Sequence, residues 1–400
     1  MEIMDTENRY LANVFSKKPV IFNRGKGALL WDINGKEYVD CGSSYGVAAL
    51  GHCHPKIVEA IKAQADELIT LHSGYYNDKR AEFIQKLISI TPKGLDKAFL
   101  SNSGAESVEC AIKLARKATG KPEIIALMGG YHGKTMGALS LTWDKKYREP
   151  FMPLVPEMKH VSPENPAKLA EAITDKTAAV IIEPIRGEGG IRMLPEGYLQ
   201  EAREICNRRG ILMILDEVQT SFGRTGKNFA CQNWDVTPDI LCLAKPFAGG
   251  LPIGITVARE DLMSAFKTGE HTTTFSGSPL VCAVGCAAID ALVEEKLADK
   301  AATNGRYLKD QLEELAQKHK SIKDIRGLGL MLGMELRYDV HDVLFKTLNK
   351  GVLVVDAGRT VIRVLPPLVI SKQQIDRAIT ALNESLGETE NERASNPVPN

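Results

Sequence analysis

The sequence predicts an α/β protein built on a largely parallel sheet, and three observations carry that expectation. From about residue 95 onward, short apolar runs rich in branched side chains alternate with amphipathic stretches: KAFLS (97–101), EIIALM (123–128), AAVII (178–182), ILMIL (211–215), DILCLA (239–244) and IGITV (253–257). Strands covered by helices on both faces read this way. Between two of those runs, Leu199, Ala202, Ile205 and Cys206 share one helix face that stops at Gly210, so the following strand is entered from a helix, as a crossover requires. The chain of 400 residues is long enough for two or three domains, with a core that needs no staples.

In chain order, WDINGKEYVD (31–40) flanks Asn34-Gly35 with alternating apolar residues and predicts a hairpin with a two-residue turn. Pro55 opens a helix with Ile57, Ile61, Ala65 and Leu68 along one face. The strand-helix alternation follows. After about residue 290 a charged amphipathic stretch (293–319) leads into RGLGLMLGMELR (326–337) and GVLVVDAGRTVIRVLPPLVI (351–370), the pattern of a second, mixed unit. The expected division is a segment 1–50 that joins the small domain, a large domain 51–295 and a small C-terminal domain 296–385. The polar, Pro-containing stretch 386–400 is expected to be disordered.

Composition narrows the function. Hydrophobic residues make up 44% and charged residues 25%, and 50 basic side chains balance 50 acidic ones, so no global field favours nucleic acid. The most apolar stretch, Pro279 to Ile289, is far short of the ~20 residues that a membrane span needs. Eight cysteines without a C-x-x-C pair, and a start with neither a basic nor an apolar leader region, give the expectation of a reduced, cytoplasmic protein.

Two nucleotide-like motifs fail on spacing. Gly133-Lys134-Thr135 resembles the end of a P-loop, but Met128 stands where the first glycine is required. Gly327, Gly329 and Gly333 miss the dinucleotide spacing and lie in a strand-like stretch. His52, Cys53 and His54 are too close together for zinc ligands and read as a turn before the helix, so no metal is expected.

Three other features converge. In SNSGAE (101–106), Ser103 caps a helix with Glu106 three residues on, and the small Gly104 and Ala105 leave first-turn amides open to an anion. Asp216 ends the apolar strand ILMIL, where a carboxylate is costly without a cationic or proton-bearing partner. Lys245 ends the next parallel run, where desolvation would lower its pKa and free a nucleophilic amine. Each alone fits a helix cap or half a salt bridge. Together they supply what pyridoxal phosphate needs: a phosphate anchor, a partner for the ring nitrogen and an aldehyde trap.

At this point the chain resembles the class III, fold-type I, pyridoxal phosphate aminotransferases over about residues 20–385. SNSGAE, GGYHGKT (129–135), EPIRGEGG (183–190), DEVQTSFGRTGK (216–227), LAKPFAGGLPIG (243–254) and HTTTFSGSPL (271–280) appear in the family's order. The resemblance implies a mostly parallel seven-stranded sheet in the large domain and a small α+β domain drawn from both chain ends. It implies that Ser103, Gly104 and Ala105 hold the phosphate, Tyr131 stacks on the ring, Val218 packs against it and Gln219 approaches its phenolic oxygen. Asp216 would bind the ring nitrogen, Lys245 would carry the cofactor and shuttle the proton, and Thr274 would reach the phosphate of a neighbouring subunit. A homodimer, or a dimer of dimers, is therefore implied.

For substrates the resemblance implies that Arg363 takes the α-carboxylate of glutamate and 2-oxoglutarate, with Glu188 pairing it when an ω-amino donor is bound. Tyr45, Lys134 and Thr273 would contact the substrate. Lys134 departs from the arginine usual in the ornithine and acetylornithine enzymes; it keeps the charge but loses the bidentate fork. Ser278 is a second departure. The stretch TWDKKYREPFMPLV (142–155) is most similar to enzymes that act on lysine or ornithine joined through the α-amino group to the acidic LysW amino-group carrier protein. The expectation is such a carrier-linked donor. N-acetylornithine or ornithine aminotransferase, 4-aminobutyrate aminotransferase, a glutamate-1-semialdehyde mutase and a non-catalytic scaffold follow in that order.

Overall fold

A computed structural model describes residues 2–395. Its centre is a seven-stranded sheet in the order Lys97–Ser101, Gly254–Ala258, Ile240–Ala244, Leu212–Asp216, Thr177–Ile182, Glu123–Leu127, Met158–Val161. The six apolar runs are six of these strands. The seventh, Met158–Val161, is half-buried at the sheet edge and carries Lys159 and His160, so its sequence lacks the apolar signature. Gly254–Ala258 runs antiparallel to both neighbours. Only nine residues separate it from the preceding strand, too few for a parallel crossover.

The central strands 123–127, 177–182, 212–216 and 240–244 are buried along their whole length. Burying a Val, Leu or Ile side chain contributes ~1.5–3 kcal/mol, so this sheet dominates the core. The helix Tyr198–Arg209 ends at Gly210, whose φ of 63° is the left-handed cap expected. Pro279–Glu294 packs against Pro55–Glu67 and Asp78–Ile90, and a Cβ at Gly285 would lie 2.5 Å from the Phe83 ring. Among the described residues no helix is long and apolar enough to cross a membrane.

Four expectations are corrected. The first hairpin pairs Trp31 with Glu37, and Asp32 and Lys36 also meet across it, so the turn is the three residues Ile33-Asn34-Gly35. Asp32 Oδ1 accepts the amides of Asn34 and Lys36, an Asx-type contact that favours the longer loop. The helix from Pro55 stops at Glu67, leaving Leu68 outside it, and Ala65 and Leu68 are exposed. Gln64 takes the buried place instead, its amide donating to the Leu68 carbonyl. The capping glutamate, Glu106, accepts the amide of Asn102 rather than that of Ser103, although Ser103 Oγ caps the Glu106 amide as expected. The expected disorder from 386 onward is overturned as far as 395. Lys372–Ser395 is one helix, Leu386 and Thr389 are buried, and Glu390 lies 2.8 Å from His319. Residues 396–400 lie outside the described residues.

Strands from the N-terminal and C-terminal parts of the chain pair with each other. Val352–Leu353 extends the N-terminal sheet beside Glu37–Asp40, and a second sheet pairs Ile322–Leu328, Met331–Leu336, Val361–Val364 and Val355–Asp356. The glycines 327, 329 and 333 thus fall in a hairpin. His52 and His54 face different carboxylates, Asp40 at 2.7 Å and Glu295 at 3.0 Å.

Candidate active site

At the carboxyl ends of the parallel strands lies a cleft of about 490 Å3, lined by Ser103, Gly104, Ala105, Tyr131, Lys134, Glu188, Asp216, Val218, Gln219 and Lys245 among others. Open α/β sheets place ligands at this edge. The helix Gly104–Thr119 points its start into the cleft, and its first-turn amides have no partner within the helix. A Cβ at Gly104 would lie 2.7 Å from Val218 Cγ1, so only glycine lets the helix start come this close to the cleft wall. By contrast, the amides of Gly137 and Ala138 at the next helix start are taken by Glu109 Oε1, which also accepts the hydroxyl of Thr135. That carboxylate stands where a P-loop would need its phosphate.

Asp216 is buried with both oxygens oriented. Oδ2 lies 2.8 Å from His132 Nδ1, and Oδ1 accepts the Val218 amide at 3.1 Å. His132 is itself buried, its amide donates to Thr142 Oγ1, and its Nε2 has no partner among the described residues.

Lys245 is half-buried, with a φ of 56°. A left-handed non-glycine residue costs ~1–3 kcal/mol and persists only where the surroundings fix it. Burial first, and then the Arg363 guanidinium, lower its ammonium pKa to about 8.

Arg363, in the strand Val361–Val364, is fully buried. Its Nη1 donates to Glu188 Oε1 at 2.8 Å and to Gln219 Oε1 at 3.1 Å, and its Nη2 donates to the Asp356 carbonyl. The guanidinium lies 5.0 Å from the Tyr45 ring centroid. Tyr45 belongs to a run of three left-handed residues, Ser43, Ser44 and Tyr45, with φ of 41°, 49° and 57°. Asp40 Oδ1 accepts the amides of Gly42 and Ser43, while Ser43 Oγ donates to the Leu365 carbonyl, and these bonds fix the run. The buried Arg224 braces the same corner through the Leu330 and Pro366 carbonyls.

Gln219 bridges Arg363 and the Tyr45 carbonyl. Tyr131 is packed edge-on against Tyr147, centroids 5.7 Å apart, and its hydroxyl pKa is raised to about 12, mainly by burial and then by Glu188. Lys134 is exposed at the cleft wall, its ammonium 5.1 Å from the Tyr147 centroid. Beyond Tyr131 and Glu188 opens a second cavity of about 360 Å3, bounded by Trp143, Lys145, Lys146 and Tyr147. Thr273 Oγ1 accepts from Asn102 Nδ2 beside the helix start. Thr274 is exposed and does not line the cleft of its own chain.

Sequence reasoning therefore named about half of the residues that line the cleft and missed His132 and Glu183, which also line it. Both lie inside quoted motifs, and Glu183 carries the same signal as Asp216: a carboxylate just after a buried strand.

The family model for class-III aminotransferases matches residues 11–386. The chain is 46% identical to an acetylornithine aminotransferase of Methanopyrus kandleri, over 96% of this chain and 99% of that one. It is 44% identical to a [LysW]-aminoadipate semialdehyde transaminase of Deinococcus radiodurans, over 95% and 89%. Among solved structures it superposes on an ornithine aminotransferase of Toxoplasma gondii with a TM-score of 0.95 and 34% identity, over 98% and 95% of the two chains. That structure is described with partial occupancy of PLP at its active site. The acetylornithine aminotransferase of Elizabethkingia anophelis gives 0.86 and 33%, over 96% and 98%.

Proposed function

Because the chain belongs to the class-III aminotransferases, which depend on pyridoxal 5'-phosphate, we propose that it moves the side-chain amino group of an α-N-blocked ornithine- or lysine-type donor to 2-oxoglutarate. The observation that carries this reading is the pair formed by the fully buried Arg363 and the cleft-facing Glu188. A buried guanidinium needs a carboxylate. When a side-chain amine reacts, no substrate carboxylate lies next to it, and Glu188 serves. When glutamate reacts, its α-carboxylate replaces Glu188, which is free to turn toward the cleft. One site thus accepts two substrates of different shape.

The residues present fit the cofactor. Gly104 and Ala105, with Ser103, offer amides and a hydroxyl to a phosphate; Tyr131 and Val218 flank the space for a flat ring; Asp216 and Lys245 stand ready for its nitrogen and its aldehyde. When bound, the cofactor supplies a carbonyl that takes up the amino group and a protonated ring that withdraws electrons from the carbon losing its proton. Lys245 moves that proton, since an amine with a pKa near 8 is partly neutral at neutral pH. Asp216, oriented by His132 and the Val218 amide, keeps the ring nitrogen protonated. Gln219 holds the Arg363 side of the cleft.

Lys134, which forms no ion pair among the described residues, is placed for the donor's own carboxylate. The name of the Methanopyrus relative supports N-acetylornithine as donor. The Deinococcus relative supports lysine or ornithine linked to an acidic carrier protein, and the second cavity, which carries Lys145 at its rim, gives such a donor room beyond Tyr131 and Glu188. A homodimer is supported by the exposed Tyr75, Tyr76 and Phe275, whose loops are tied together where Ser73 bonds the Ser276 carbonyl and which adjoin Thr274.

The test is a set of single-turnover half-reactions with N-acetylornithine, ornithine, 4-aminobutyrate and carrier-linked lysine. A blocked donor is expected to give the highest kcat/KM. Faster turnover of free ornithine or 4-aminobutyrate refutes the reading, as does activity without a 2-oxo acid acceptor.

A further inference from the structure

Glu183 directly follows the strand Thr177–Ile182, at the wall of the cleft, and is buried with 7% of its surface exposed. Its two oxygens are divided. Oε1 accepts the amide of Tyr131 at 2.7 Å, and Oε2 accepts the amide of Gly187 at 3.0 Å. The first amide belongs to the loop that carries the ring-flanking Tyr131 and the second to the loop that carries Glu188. The two loops also touch backbone to backbone, since a Cβ at Gly189 would lie 2.3 Å from the Gly129 carbonyl oxygen. Arg186 adds a strap, its Nη1 donating to the Met128 carbonyl.

We propose that Glu183 is a positioning residue that locks the Tyr131 loop and the Glu188 loop into one unit, so that the ring wall and the Arg363 gate are set together. Only an ionised carboxylate can accept from both amides at full strength. A glutamine has one acceptor oxygen and would turn its NH2 toward the other N–H. The carboxyl pKa is pushed up to about 7, chiefly by burial; His132 lowers it and Asp216 raises it. Arg186, Lys245 and Tyr131 are the other ionisable groups that face it. The ionised form that holds both amides therefore gives way to the neutral acid as pH falls through about 7.

The function of the lock rests on the gate reading above, but its mechanics do not, so the test has two arms. In the first, hydrogen exchange is measured on cofactor-free wild type and Glu183→Gln. Peptides spanning 128–135 and 185–191 are expected to exchange at least about tenfold faster in the variant, with the strands unchanged. Loosening of one loop alone, of neither, or of the whole sheet overturns the proposal. Should the variant not fold, wild type read between pH 6 and 8, after correction for intrinsic exchange, decides the matter. Both loops are expected to lose protection together as pH falls through about 7, whereas separate midpoints overturn it. In the second arm, Glu183→Gln is expected to shift the ratio of the glutamate and ω-amino-donor half-reactions at least about threefold, while a purely structural loss slows both alike. An unchanged ratio overturns the proposal. If the exchange arm succeeds and wild type accepts no ω-amino donor, the donor reading fails and the lock stands.

Discussion

Asp216, the last residue of one strand, and Lys245, directly after another, show how position in the sheet sets a side chain's chemistry. Asp216→Asn keeps the shape but loses the charge, and its NH2 would meet either the His132 N–H or the Val218 amide. A fall in kcat of at least about a hundredfold is expected, the scale of losing a main electrostatic partner in the transition state; turnover near wild type would exclude the role. For Lys245 the sign of the pH effect follows from its lowered pKa. The folded cofactor-free protein releases this proton near pH 8, the unfolded chain only near its ordinary value, so stability rises with pH between the two and the destabilisation is complete below 8. Lys245→Met should therefore raise the melting temperature of the cofactor-free protein at pH 7 and remove that rise; a lower temperature at pH 7 would contradict it. At the gate, Glu188→Ala should favour glutamate over the ω-amino donor, and Arg363→Ala should cripple glutamate by several kcal/mol while sparing the donor, as rapid absorbance measurements on each half-reaction would show. Equal slowing of both substrates in both variants would reduce the pair to a structural contact.

At the scale of elements, the helix start at Gly104 is set by contact with Val218. Gly104→Ala should weaken cofactor binding by roughly tenfold or more, because the new methyl and a stiff β-branched neighbour cannot share the space, an overpacking cost of about 1–3 kcal/mol. Val218→Ala in the same chain should recover much of that loss in a reconstitution titration; no recovery would place the fault elsewhere. This scale also shows what the sequence could tell. The strands 123–127, 177–182, 212–216 and 240–244 were legible because burial on both faces demands unbroken apolar runs. Met158–Val161 was not, because an edge strand needs no such run, and the helix through 386–395 was not, because its polar surface hides a sparse buried stripe at Leu386 and Thr389. At the cleft, the residues that the sequence singled out and the structure brings together are those whose chemistry stands out locally, Asp216 and Lys245 above all. His132 and Glu183 act by facing other side chains and amides across the fold, and that pairing is a property of tertiary structure.

For the whole molecule, the exposed position of Thr274 gives a test of the dimer. If Thr274 serves the neighbouring subunit, each of Lys245→Ala and Thr274→Ala impairs a different half of a shared site. Mixing the two variants and allowing subunits to exchange should restore about a quarter of the wild-type sites, by random pairing in a two-fold assembly. A mixture no more active than the sum of its parts would show that each chain works alone. The joining of Val352–Leu353 to the N-terminal sheet was expected only through the resemblance, since its pairing with Glu37–Asp40 spans over three hundred residues and leaves no local pattern.

The division of labour around the cleft has an evolutionary consequence. Asp216 and Arg363 lie in sheet strands and Lys245 directly after one, where a change disturbs the core. On the proposed reading the donor side would rest on Lys134 and on the short turn from Trp143 to Arg148, on the surface of the fold. A descendant of this chain could exchange one amine donor for another by altering a handful of surface side chains, with its proton chemistry inherited intact.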